Sequence, residues 1–329
     1  MQRREFISLA GGAAAWPVML RAQQAARKHR IGVLSSLAAD DPEGQVLLTA
    51  FEKALRQLGL TAGESVQIDY RWASGSDDQT RKYAEELIAL EPDVLLATSG
   101  TNLPYLLRAT RTIPIVFVQV ADPVGAGFVD SLAHPGGNAT GFIVFEYGIC
   151  AKWPEMLKQM APVVTRAAVL RDATSSSGIG QFGALQSVAP SFGLGLAPVG
   201  LGDANEIERG IRSFANSSTG GGLIVTGSQL ATHHSDLIIR LAAQYKLPAV
   251  YSDRYFVTRG GLASYGPDRV AEYPLAAGYI YRILMGEKPV NLPVQAPNKY
   301  ELAINLKTAK TLGLDVPASL LARADEVIE

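Results

Sequence analysis

Residues Ile113 to Gly141 read IPIVFVQVADPVGAGFVDSLAHPGGNATG, and the fold follows from them. Pro114 to Val120 is almost wholly apolar, which suits a strand covered on both faces, as in a parallel sheet. The run stops at Ala121-Asp122-Pro123. Asp122 then stands where the carboxyl end of a strand opens into a crevice, the usual ligand position in open α/β sheets. Gly125 to Ala133 reads as a short helix ended by His134-Pro135-Gly136-Gly137. Ala139 to Phe145 reads as the next strand.

Outward from this stretch the chain alternates strand and helix with short corners, the pattern of a parallel sheet layered by helices. Strands are expected at His29–Leu34, Val66–Trp72 and Asp93–Thr98. Helices are expected at Pro42–Leu58 and after Asp77-Asp78, which could cap the second of them. Around Glu146 to Lys152 the unit ends and the pattern restarts. Strands are expected at Arg166–Arg171, Gly195–Val199, Gly222–Thr226 and Pro248–Tyr251. Helices are expected at Trp153–Met160, Ile179–Ser191, Asn205–Phe214 and Leu230–Tyr245, with another from about Ala271 to Met285. The tail from Tyr300 reads as a strand followed by helical pieces. The fold class is α/β, with two similar units in succession.

The chain has 329 residues, 47% of them hydrophobic and 19% charged, enough for two packed units. A net charge of −1 gives no basic footprint for nucleic acid. Cys150 is the single cysteine, so no internal disulfide or cysteine-rich metal site forms; it reads as a small buried hydrophobe. Residues 1–25 read as an export signal. Arg3-Arg4-Glu5-Phe6-Ile7 precedes an apolar Gly/Ala-rich run and then RAQQAA, and the paired arginines suggest the twin-arginine type. The periplasm is the expected location.

Several chemistries are weakly supported. Gly125-Ala126-Gly127 starts like a dinucleotide fingerprint, but Asp130 occupies the third glycine position and would oppose a pyrophosphate. His233 and His234 are neighbours, so on a helix they point about 100° apart and do not converge on a metal. Neither G-x-S-x-G nor a P-loop occurs. No catalytic residue, metal or cofactor is assigned.

What remains is a set of polar corners at strand ends. In the first unit they are Ser35-Ser36, Ser99-Gly100-Thr101 and Asp122. In the second they are Asp172, Gly227-Ser228 and Ser252-Asp253. Hydroxyls and backbone N–H groups there suit a ligand carboxylate; Asp122, Asp172 or Asp253 suits an ammonium. Tyr105, Phe145, Tyr147, Tyr251 and Tyr265 offer apolar walls. Each also has a plainer use, as a helix cap or as core.

DPVGAGFVDSLAHPGGNATG, from Asp122, resembles the signature of the ABC-transporter substrate-binding protein family that includes tryptophan-type binding proteins. YRWASG (Tyr70–Gly75), GQFGALQ (Gly180–Gln186), RYFVTRGGLASYGPD (Arg254–Asp268) and KYELAINLKTAKTLGL (from Lys299) are similar to the same family. The resemblance spans almost all of the chain beyond the leader. It implies a type I periplasmic binding protein fold, two doubly wound lobes with a ligand cleft between them. It also implies that the chain crosses back to the first lobe near Tyr265. The lobes are then expected at 26–146 with about 265–292, and at 147–264 with about 293–329. The implied activity is delivery of a small solute, such as an amino acid, to an ABC permease and its ATPase by a monomeric receptor; the alternatives are a secreted hydrolase using the same cleft and a ligand-sensing partner of a membrane receptor. Ser252-Asp253 departs from the apolar pair common in the family at that corner.

Overall fold

The computed structural model describes residues 28–217 and 220–329. The export signal expected at residues 1–25 lies outside the described residues.

The first sheet uses β1 His29–Ser35, β2 Val66–Trp72, β3 Val94–Ala97, β4 Ile115–Val120 and β5 Ala139–Ile143. Its order is β2-β1-β3-β4-β5, with every pairing parallel. β3, β4 and β5 are buried along their whole length, which is why they read as continuous apolar runs. Helices α1 Pro42–Gln57, α2 Asp77–Ala89 and α3 Leu103–Ala109 make the crossovers. α1 starts where Asp41 accepts the Gly44 N–H at 3.0 Å and Pro42 takes the first turn. It buries Leu47, Leu48, Phe51 and Leu55. α2 is capped by Ser76, which accepts from the Gln79 N–H; Asp77 and Asp78 occupy its first turn instead. There they favour the positive end of the helix dipole without closing it.

The second sheet has the order β12-β11-β10-β9-β8-β6-β7. Its strands are β6 Arg166–Arg171, β7 Gly195–Gly200, β8 Gly221–Val225, β9 Ala249–Tyr251, β10 Ala263–Pro267, β11 Tyr300–Asn305 and β12 Glu326–Ile328. Among the described residues only β10 and β11 pair antiparallel here. The helices here are α4 Lys152–Met160, α5 Ser176–Val188, α6 Ala204–Ser217, α7 Gln229–His233, α8 Ser235–Gln244 and α9 Arg254–Thr258. The single helix expected over Leu230–Tyr245 is therefore two, broken at His234.

Between the sheets, α10 Arg269–Leu284 leaves β10 and packs on the first sheet. Tyr273, Ala276, Ala277 and Ile280 share a core with Leu47, Phe51, Val116 and Val118. The chain then bonds to β5, with Gln295 giving its N–H to Gly141 and its carbonyl to Ile143. It returns to the second sheet as β11, followed by α11 Leu306–Thr311 and α12 Ala318–Leu321. The two sheets are thus joined by three crossings, after β5, after β10 and before β11.

The helix expected at Gly125–Ala133 is absent. Turns replace it: Ala126 N–H donates to Asp122 O, Gly127 N–H to Val124 O, and both Phe128 and Val129 N–H groups to Pro123 O. Gly127 at φ 71° takes the chain out of the helical region. Gly141 has a different task. A β-carbon there would stand 2.0 Å from the Phe117 carbonyl oxygen on the adjacent strand. Backbone cannot yield as a flexible side chain does, so Gly141→Ala is expected to lower stability by on the order of 3 kcal/mol. A fall in the urea midpoint with an unchanged m-value would show it.

Candidate functional site

The polar corners fall at the carboxyl ends of adjacent strands in each sheet. On the first, Ser35 ends β1 and Ser36 follows it, Ser99-Gly100-Thr101 follow β3, and Asp122 follows β4. Ser35 Oγ accepts the Leu37 N–H, and Ser36 donates its N–H to Thr98 Oγ1 at 3.2 Å. Ser99 Oγ and Thr101 Oγ1 share a hydrogen at 2.7 Å, and the Thr101 N–H donates to Ser99. Buried Asn102 donates to the Leu34 carbonyl at 2.9 Å and so locks the two corners together. Gly100 lies over Val120.

On the second sheet Asp172 follows β6, Gly227-Ser228 follow β8 and Ser252-Asp253 follow β9. Asp172 Oδ1 accepts both the N–H and the hydroxyl of Thr174, at 2.9 and 2.7 Å. Ser228 is the cap of α7, accepting the Ala231 N–H. Gly227 is clamped by fully buried Gln181, which accepts its N–H at 2.8 Å and donates to its carbonyl at 2.9 Å.

Aromatic placement is divided. Tyr251 lies in the core of the second unit, 1% exposed and stacked on Phe256. Tyr265 stacks on Tyr300, and its carbonyl accepts the Trp153 indole N–H at 2.8 Å. Tyr105 sits on α3 beneath Arg108. Phe145 and Tyr147 do reach the corners. Phe145 lies against Gly227, where a β-carbon would be 3.1 Å from its ring, and meets Tyr147 edge-on. Tyr147 packs on Gly180 of α5 and donates its hydroxyl to Asp122 Oδ2 at 3.0 Å, so it links a helix of the second unit to a corner of the first sheet. Burial, and then the Asp122 carboxylate, push the Tyr147 hydroxyl pKa up.

Four residues at this centre were not anticipated from the sequence. Arg269, its side chain 12% exposed, opens α10 and contacts Glu43 at 2.8 Å and Asp253 at 3.1 Å. It also donates to Gln119 Oε1. Burial works against the guanidinium charge, but the carboxylates of Asp253 and Glu43 outweigh it and raise its pKa. Burial raises Glu43 in turn, with Arg269 opposing. Asp253 Oδ1 accepts the Tyr255 N–H as cap of α9, so both its oxygens are engaged. Glu272, 3% exposed, accepts the Gln119 N–H at 3.1 Å. Burial pushes its carboxyl from the ordinary 4.5 up to about 8. Gln119 was the visible signal, the one polar side chain in IVFVQV. Two surface hollows of about 300 and 460 Å³ lie along the outer strands β2 and β7, away from these corners.

Comparison with known proteins agrees with this architecture. The family model described as ABC transporter substrate binding protein matches residues 37–328. A tyrosine-binding protein of Clostridioides difficile is 26% identical over 288 residues, covering 88% of this chain and 82% of that one. A conserved domain protein from Vibrio cholerae is 26% identical with a TM-score of 0.83, covering 92% of this chain and 100% of that one. An ABC domain from Streptococcus pneumoniae in complex with L-Trp is 24% identical with a TM-score of 0.84, at the same coverage of both chains.

Removing the shared cation strands two carboxylates, so Arg269→Met is expected to cost about 3 kcal/mol in denaturant unfolding. The raised Glu272 carboxyl has a definite sign. Between pH 5 and 8 the folded protein holds a proton that the unfolded chain releases, so this contribution falls as pH rises. Urea midpoints across that window are expected to decline less steeply in Glu272→Gln than in the wild type.

Proposed function

The chain belongs to the ABC transporter substrate-binding protein family, and from that premise we propose that it captures a small amino acid-like solute between its lobes for an inner-membrane ABC importer. The reading is supported by Arg269, which bonds Glu43 beyond the β1 corner and Asp253 at the β9 corner, and by Tyr147 bonding Asp122 while Phe145 lies against Gly227. On this reading residues 28–146 with about 268–296 form one lobe, and the rest of the described chain forms the other.

The charges favour a solute bearing an ammonium over a bare organic acid. Arg269 is already matched by Glu43 and Asp253, two carboxylates to one cation. That cluster leaves no free cation to attract a bare anion, while an ammonium meets attraction. Aromatic surface stands beside the corners in Phe145 and Tyr147, and in Trp72, which is in register with Ser35 and touches the start of α1. That surface suits an aromatic side chain. It accords with the tyrosine and tryptophan named for the relatives.

No bond is made or broken in this activity. The solute favours the closed arrangement only by binding it better than the open one. Moving that equilibrium from 1:99 to 99:1 takes about 5.5 kcal/mol of differential affinity. Closed protein then docks on the permease, which passes the solute on under ATP hydrolysis. The expected route to that compartment is the export signal at the amino terminus.

Isothermal titration against L-tyrosine, L-tryptophan and the matching amine-free acids tests the reading. The expected result is one-to-one binding of an amino acid, tighter than its amine-free acid by at least about 10-fold, and recovered chemically unchanged. Preference for the acid would overturn the solute class; steady consumption of the compound would overturn the receptor role.

A further inference from the structure

Gln119 holds a conformation that its residue type does not favour. Its φ is 57°, the left-handed region, inside an otherwise extended strand. The pairing of β4 with β5 shifts register between Phe117 and Val120, so the strand bends there. The conformation is held from outside: Glu272 Oε2 takes the Gln119 N–H, and Arg269 takes its side-chain oxygen. Such strain persists only where the surroundings over-determine it, and it concentrates at ligand sites.

The side chain is 8% exposed. Arginine only donates hydrogen bonds, so the amide oxygen must face Arg269 and the NH2 must face away. That Nε2 finds no acceptor among the described residues. It lies at the carboxyl end of β4, bonded into the cluster that joins the starts of α1 and α10 to the corner after β9. A buried donor without a partner is costly, and its retention calls for an acceptor supplied by something else.

We infer that Gln119 is a solute-contacting residue whose Nε2 donates to the carboxylate of the bound amino acid, with Arg269 and Glu272 as the residues that position it. This rests on the solute-binding reading above. Gln119 thereby supplies a neutral donor to the carboxylate end in a cluster too acidic to offer it a free cation.

The test compares the wild type with Gln119→Ala and Gln119→Glu by titration with L-tyrosine and L-tryptophan, alongside thermal unfolding without solute. Gln119→Glu keeps the length and the oxygen facing Arg269, and exchanges the donor for an anion. Gln119→Ala is expected to weaken binding by roughly 10-fold. Gln119→Glu is expected to weaken it by about 100-fold or more, because it sets a charge against the solute carboxylate. The order of the two variants is the diagnostic, since loss of a merely structural contact would harm Gln119→Ala at least as much. Equal losses, or the reverse order, overturn the inference. So does unchanged affinity in both variants, the result expected if the amide and the Glu272 Oε1, itself without a hydrogen-bond partner among the described residues, are simply bridged by water. A wild type that binds neither amino acid overturns the functional reading and this inference together; a wild type that binds beside indifferent variants overturns the inference alone.

Discussion

One guanidinium organises the region between the lobes. Arg269 contacts Glu43 at the start of α1 and Asp253 at the corner after β9, and it holds the Gln119 amide at the end of β4. The first and third partners are packed with the first sheet, the second with the other. Its own backbone opens α10, directly after a crossing between the sheets. A cation so nearly buried is tolerable only because two carboxylates repay its lost hydration. The same pairing keeps both carboxylates in place beside a cleft. Any movement of the lobes must carry this cluster along or break it.

Around that centre the sheets obey a simpler constraint. Parallel strands end on the same side, so each sheet gathers its polar corners at one edge. Asn102 ties the first pair of corners, and Gln181 fixes the Gly227 backbone with two opposed hydrogen bonds. These buried amides make the corners rigid, which allows a weak set of hydroxyls and N–H groups to act together on one small molecule.

Much of this was legible in the sequence, for identifiable reasons. Continuous apolar runs such as Ile115–Val120 announced a sheet covered on both faces, and Asp122 marked a strand end. The failures were local. Gly127 at positive φ turned an expected helix into turns, and a break at His234 divided another. Ser76, one residue before the aspartate pair, proved to be the cap of α2. Tyr251 looked like a cleft wall because it ends a strand, yet its ring turns inward onto Phe256. Asp253 reads in the sequence as a carboxylate suited to an ammonium, and its bond to Arg269, sixteen positions on in another element, is a pairing that periodicity does not encode. Gln119 was visible as an anomaly, but its partners at 269 and 272 could be known only from the fold.

If a solute draws the two lobes together, the distance between them in solution shortens when it binds. Cysteines introduced as Asp40→Cys and Ile179→Cys place spin labels on exposed positions at the mouths of the two sheets' corners, and native Cys150 is fully buried. Pulsed electron–electron resonance with and without saturating L-tyrosine or L-tryptophan should show a broad or bimodal distance distribution collapse to a single shorter distance. A distribution that does not move while titration calorimetry shows the sites filled would contradict closure by the solute, and with it the account of how this receptor works.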